Sequence, residues 1–273
     1  MSRERNPLLT AFALLVYGFL FAPVVVLIVF SFNSARRGLA WKGFTLDWYP
    51  TLLSNDELLA ALGVTLQVAA VAVVVSTVLG SLLGLGLARI KFRGQAATET
   101  LLLVPMVTPE IVMGLSLLLF FLQLFDARGS IAQLSIAHAT FSISFVAVVV
   151  RARAVNMNPA LEEAARDLGA SAWGAFRHVT LPLIAPAVLA GGLLAFSLSF
   201  DDYVITTFNA GVGSSTLPLY IYSKVKFGVT PEINAISTII VAGTALAILA
   251  AWRLGAFRGE DRAVVADEDA APA

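Results

Sequence analysis

Six apolar runs, at about residues 7–32, 58–87, 97–124, 131–150, 183–208 and 233–252, take up most of this 273-residue chain. A run of about 20 apolar residues, rising 1.5 Å per residue as a helix, spans the roughly 30 Å hydrocarbon layer of a bilayer. Backbone polar groups find no water in that layer, so each run must satisfy its own hydrogen bonds, as a helix does. The expected fold is all-α, a polytopic membrane helical bundle with six transmembrane helices in a single domain over residues 1–273. Composition agrees: only 13% of the residues are charged, against about 25% in soluble domains. The first run is longer than a leader core and no good small-residue cleavage site follows it, so it reads as a retained span.

Six spans put both termini on one side. Twelve of the eighteen Lys and Arg residues fall on the face that holds the termini, the segment after the second run and the segment at about 154–182. By the positive-inside rule that face is cytoplasmic. Equal numbers of acidic and basic residues give no reason to expect nucleic acid as a partner. The chain has no Cys, and its two histidines, His138 and His178, lack metal-ligand spacing, so neither a metal nor another cofactor is expected. No G-x-x-x-x-G-K-S/T run occurs, and any nucleotide must therefore be held by a partner subunit.

Within the second run Ser76, Gly80, Gly84 and Ala88 recur every four residues, a stripe that lets helix backbones approach closely. Trp41, Trp48 and Tyr49 stand where interfacial aromatics belong. Pro105 and Pro109 interrupt the third run, which is expected to kink there. The tail from residue 258 is polar and is expected to be disordered.

The stretch Glu163 to Pro182 is a polar island among these runs. Asn158-Pro159 is a helix start, Gly169 suits a left-handed stop, and Ser171 caps a second short helix expected to end at Pro182. Glu163, Ala164, Ala165, then Gly169, then Val179, Thr180, Leu181 and Pro182 at fixed spacing resemble the cytoplasmic EAA loop of permease subunits of ABC importers. Val179 stands where Ile is more usual. The resemblance implies that the loop docks in a groove on a separate ATPase. Ala164 and Ala165 would then allow close approach, Gly169 the turn and Glu163 a charged contact, with Leu181 and Pro182 completing the element.

Ionised groups inside a span are costly and usually face a cavity. Asp201 and Asp202 are adjacent in the fifth run, beside Phe200 and Tyr203, and Glu110 follows Pro109 in the third. Consecutive helical positions diverge by about 100°, so at most one of the two aspartates points straight into a pore. An anionic group beside ring faces suits an organic cation. The alternatives are carboxylates solvated at the headgroup level or capping local structure, and a structural pairing for Glu110. His138 reads as a hydrogen-bonded packing residue.

Thr108 to Val112, Ser199 to Tyr203, Leu217-Pro218-Leu219, Ile221-Tyr222-Ser223, Lys226 and Pro231 to Ala235 are similar to the spermidine/putrescine importer permeases, the second of their two membrane subunits. That resemblance implies a type I importer fold in the bacterial inner membrane, a heterodimer with a sister permease, two ATP-binding cassette ATPase subunits, and an extracytoplasmic binding protein delivering polyamine. Two other classes compete. An intramembrane serine hydrolase using His138 would want a serine on an exposed turn such as G-x-S-G, and none occurs near a span. An ion-driven carrier with Glu110 or the aspartates as proton sites has no use for an ATPase-docking loop, and no clear internal repeat is present.

Overall fold

The computed structural model describes residues 7–35, 40–125, 129–226 and 228–253. Arg3, Arg5, Asp126, Arg128 and the tail from residue 258 lie outside them. Among the described residues the regular elements are helices, with one isolated antiparallel bridge between Asn33 and Phe44. In chain order they are α1 (Pro7–Phe30), α2 (Trp48–Leu53), α3 (Asp56–Arg89), α4 (Gln95–Val107), α5 (Glu110–Phe125) and α6 (Ile131–Val155). Then follow α7 (Ala160–Asp167), α8 (Ala172–Ala175), a π-turn (Phe176–Thr180), α9 (Leu181–Phe200), α10 (Val204–Asn209), α11 (Leu217–Val225) and α12 (Pro231–Arg253). Helices α1, α3, α6 and the continuous Ala172–Phe200 stretch are long and apolar enough to cross a membrane. The pair α4 and α5 passes the same test jointly, and α12 carries a shorter apolar stretch, Pro231–Leu246. The architecture is an all-helical polytopic bundle.

The chain divides into two compact units. In the unit formed by residues 56–222, α3 packs along α6 and both pack on α9. The small-residue stripe makes this possible. Ser76, Gly80 and Gly84 are buried, and a Cβ at Gly80 would lie 2.7 Å from the Cβ of Val146 on α6. Val146, Val150, Ala154 and Ile184 form the apolar core beside it.

In the other unit α1 and α2 both pack on α12. The polar segment after α1 is organised around Asn33, whose Nδ2 donates to Ala40 O at 2.9 Å and whose Oδ1 accepts from Lys42 N at 3.0 Å. Trp48 Nε1 donates to Asn33 O at 2.8 Å, and Tyr49 shares a hydrogen bond with Ser31. These two aromatics close a folded turn.

The structure corrects or sharpens the sequence expectation in four places. The third run is two helices bent by 109°, because Thr108 precedes Pro109 and takes an extended conformation at the break. The fifth run stops at Phe200 and restarts at Val204, so residues 183–208 are not one helix. Pro182 ends nothing. The π-turn before it bonds Leu181 N to Phe176 O, so the proline, which has no N–H to donate, follows where the bonding changes from π to α and the helix runs on through it. Helix α11 lies between the fifth and sixth apolar runs, where no helix was expected.

Candidate functional site

The turn after α7 is built by its own residues. Asn158 Oδ1 accepts from Ala160 N at 3.0 Å at the start of α7. At the other end Ala170 N donates to Ala165 O at 3.0 Å and Gly169 N to Arg166 O at 2.9 Å, the paired bonds of a Schellman stop. Gly169 has φ +90°, a conformation that side chains with a Cβ disfavour. Ser171 Oγ then accepts from Gly174 N at 3.1 Å and starts α8. Glu163, Ala164, Gly169, Leu181 and Pro182 are exposed, and Ala165 is half-buried. Leu168 and Trp173 also stand exposed, at 90% and 67%, and Trp173 stacks on Phe176 with centroids 5.3 Å apart. The turn thus exposes small and apolar residues together with the charged Glu163.

What the sequence did not reveal is how this turn is tied down. Glu162, in the first turn of α7, takes Arg89 of α3 in a two-point contact, with Nη2 to Oε1 at 3.1 Å and Nη1 to Oε2 at 3.5 Å. Thr180, buried in the π-turn, donates its hydroxyl to the same carboxylate. Nearby, Arg151 of α6 meets Glu99 of α4 at 2.7 Å, and Gln95 donates to Glu99 at 3.0 Å. Arg89 and Glu162 are 73 residues apart, so no local pattern could have paired them.

The second candidate region is the break between α9 and α10. Asp202 caps α10: Oδ1 accepts from Ile205 N at 3.1 Å, and Oδ2 from Thr206 N at 2.8 Å and Thr206 Oγ1 at 2.9 Å. His138 of α6 approaches the same oxygen, with Nε2 3.3 Å from Oδ2. The imidazole also meets Ser199 Oγ at 2.8 Å through Nδ1 and Thr206 Oγ1 at 3.1 Å through Nε2. The side chains of His138 and Asp202 are 1% and 7% exposed. Burial of such a pair is tolerable only because each polar atom has a partner.

Asp201 has a different environment. It is exposed at the end of α9, and its N–H closes that helix on Ser197 O at 3.2 Å. Tyr203 is half-buried and lies against Tyr222 of α11, with ring centroids 4.3 Å apart. Phe200 stacks on Phe196 at 5.4 Å. Glu110 is exposed in the first turn of α5. One turn on, Gly114 O accepts from Asn209 Nδ2 of α10 at 3.0 Å, so the helix that carries Glu110 packs on the helix that Asp202 caps. The two carboxylates of the pair therefore separate into one held by the protein and one offered to solvent. A solvent-facing carboxylate with aromatic faces in the adjoining turns can receive an ammonium group.

Comparison with known proteins shows the family and the fold. Residues 76–256 match the family model for the binding-protein-dependent transport system inner membrane component. The chain is 40% identical over 256 residues to the putrescine transport system permease protein PotI of Escherichia coli (strain K12), covering 92% of this chain and 91% of the relative. It is 43% identical over 235 residues to the spermidine/putrescine transport system permease protein PotC of the same organism, covering 86% and 89%. Among solved structures, a chain of a bacterial alginate ABC transporter in complex with its alginate-bound periplasmic protein superposes with TM-score 0.70 at 19% identity, covering 90% of this chain and 93% of that one. At that identity the likeness concerns the fold.

Proposed function

The chain belongs to the family of binding-protein-dependent transport system inner membrane components, and we propose that the solute it carries is a polyamine such as putrescine or spermidine. It is a transport subunit, not an enzyme. The observation that carries the polyamine reading is the identity of 40% and 43% to putrescine and spermidine/putrescine permeases along nearly the whole chain. The break after α9 supports it, because an exposed Asp201 beside Phe200 and the Tyr203–Tyr222 pair suits a flexible cation. Asp202 contributes by fixing that break, and Glu110 supplies a second exposed carboxylate on α5.

In this reading the subunit forms half of a translocation pathway with a sister permease, and an extracytoplasmic binding protein delivers the substrate. Two ATPase subunits receive the turn formed by Glu163, Ala164, Ala165 and Gly169, with Leu181 and Pro182 at the root of α9. ATP-driven closure of the partners moves this turn, and the spans alternate access. Both termini and the turn then face the cytoplasm. A Cys placed at Ala40 should be labelled from outside intact cells, and one at Ala172 only after permeabilisation; the reverse pattern would overturn this topology.

Uptake of radiolabelled putrescine and spermidine by the complete complex tests the substrate. Replacing Asp201→Asn removes a charge-assisted contact and should lower uptake at limiting substrate by about tenfold. Wild-type uptake by Asp201→Asn would take this residue out of the pathway, and an unlabelled neutral solute that competes better than either polyamine would displace the polyamine reading.

A further inference from the structure

Helix α7 has no buried residue, yet it must stay attached to the helices it is to move. We propose that Glu162 is the positioning residue through which displacement of the docking turn is passed to the spans, by way of Arg89 on α3 and Thr180 before α9. This inference rests on the permease reading. Three observations carry it. The carboxylate of Glu162 is the meeting point of the last residue of the 34-residue α3 and the last residue of the π-turn that leads into α9, two helices that also pack on each other. The Arg89 guanidinium lies against both carboxylate oxygens, with an ion-pair distance of 3.1 Å to Oε1 and a hydrogen bond of 3.5 Å from Nη1 to Oε2, so charge attraction ties α7 to the end of α3. Beside it lies a cleft of about 320 Å³, lined by Leu82, Leu85, Ile90, Ala172 and Phe176 as well as by the polar trio.

That cleft matters mechanically. A docking helix cemented by apolar packing would carry its neighbours along through many contacts, and no one residue would govern the motion. Here α7 stands over open space and its polar anchor joins two spans. A π-turn interrupts the α-helical bonding pattern and frequently lies at a functional site, and Thr180 is the last residue of this one. A pull on Glu162 therefore reaches the end of α3 and the start of α9 together.

The test uses the complete transporter in proteoliposomes, with three readouts: ATPase co-purification, ATP hydrolysis, and polyamine taken up per ATP hydrolysed. Glu162→Gln and Arg89→Glu should co-purify with the ATPase as wild type does, while uptake per ATP falls about three- to tenfold, the range for a partly exposed charged contact. The exchange Glu162→Arg with Arg89→Glu should return it to within about twofold of wild type. Arg89→Lys keeps the charge without the fork and should lie between. Wild-type coupling in both single variants would overturn the proposal. So would an exchanged variant no better than the singles, or loss of co-purification in Glu162→Gln, which would make Glu162 part of the ATPase contact. Failure of the permease reading itself looks different, since the unaltered protein would then show no ATP-dependent uptake.

Discussion

The turn after α7 and the break after α9 both stop one helix and start another, but they are made by opposite means. The first uses only neighbours: Asn158, Gly169 and Ser171 each bond within a few residues of themselves. The second adds to the local cap from Asp202 a distant partner, His138, which reaches Ser199 and Thr206 across 61 and 68 positions of sequence. The difference follows from solvent. At the exposed turn any polar group left over is met by water, so local capping suffices. At the break the Asp202 side chain is buried, and it takes a partner from another helix. The caps of an exposed turn can thus form within their own stretch of chain, whereas a buried polar group at a helix break is shaped by the bundle around it.

The largest expected effect tests the buried side of this contrast. His138→Leu deprives Asp202, Ser199 and Thr206 of their shared partner and should cost about 3 to 5 kcal/mol, read as a fall in the thermal midpoint of the detergent-solubilised protein. An unchanged midpoint would mean that the break, like the docking turn, is locally built. Next comes Gly169→Val, at about 1 to 2 kcal/mol of backbone strain. A Cβ at this position meets nothing within 4 Å, so the strain should stay in the turn, weakening ATPase co-purification while the midpoint holds. Loss of both would show the turn to be coupled to the core. Ser171→Ala should cost about 1 kcal/mol, seen as faster amide exchange at Gly174 with no change around His138. Smallest is Pro182→Ala, below about 0.5 kcal/mol, because the π-turn and not the proline sets the start of α9; substantial loss of uptake or of ATPase co-purification would restore a role for the ring.

Much of the architecture could be read before folding. Apolar runs long enough to cross a bilayer identified an all-helical membrane protein, since lipid admits few other backbones. Ser76, Gly80 and Gly84 announced a close helix contact, and the structure supplies its partner, Val146 on α6. The caps at Asn158, Gly169 and Ser171 were legible for the same reason that they are local: donor, acceptor and turn residue lie within one stretch of chain.

Prolines show where such reading stops. Pro109 accompanies a 109° bend, while Pro182 sits inside a continuous 29-residue helical stretch. The residue type is the same, and the outcome depends on whether the preceding backbone, extended at Thr108 or a π-turn at Phe176–Thr180, has room for the ring.

By itself the sequence determined that the chain is an all-helical membrane protein, that a polar helical turn interrupts its apolar runs, and that two carboxylates would need an explanation. Only the tertiary structure decided that Asp202 is held by His138 while Asp201 is exposed, and that Glu162 is gripped by Arg89 and Thr180. Apolar length and helix capping are properties of a segment. The fate of a polar group depends on which distant donor or acceptor the packed helices bring within about 3 Å of it, and that proximity exists only after folding.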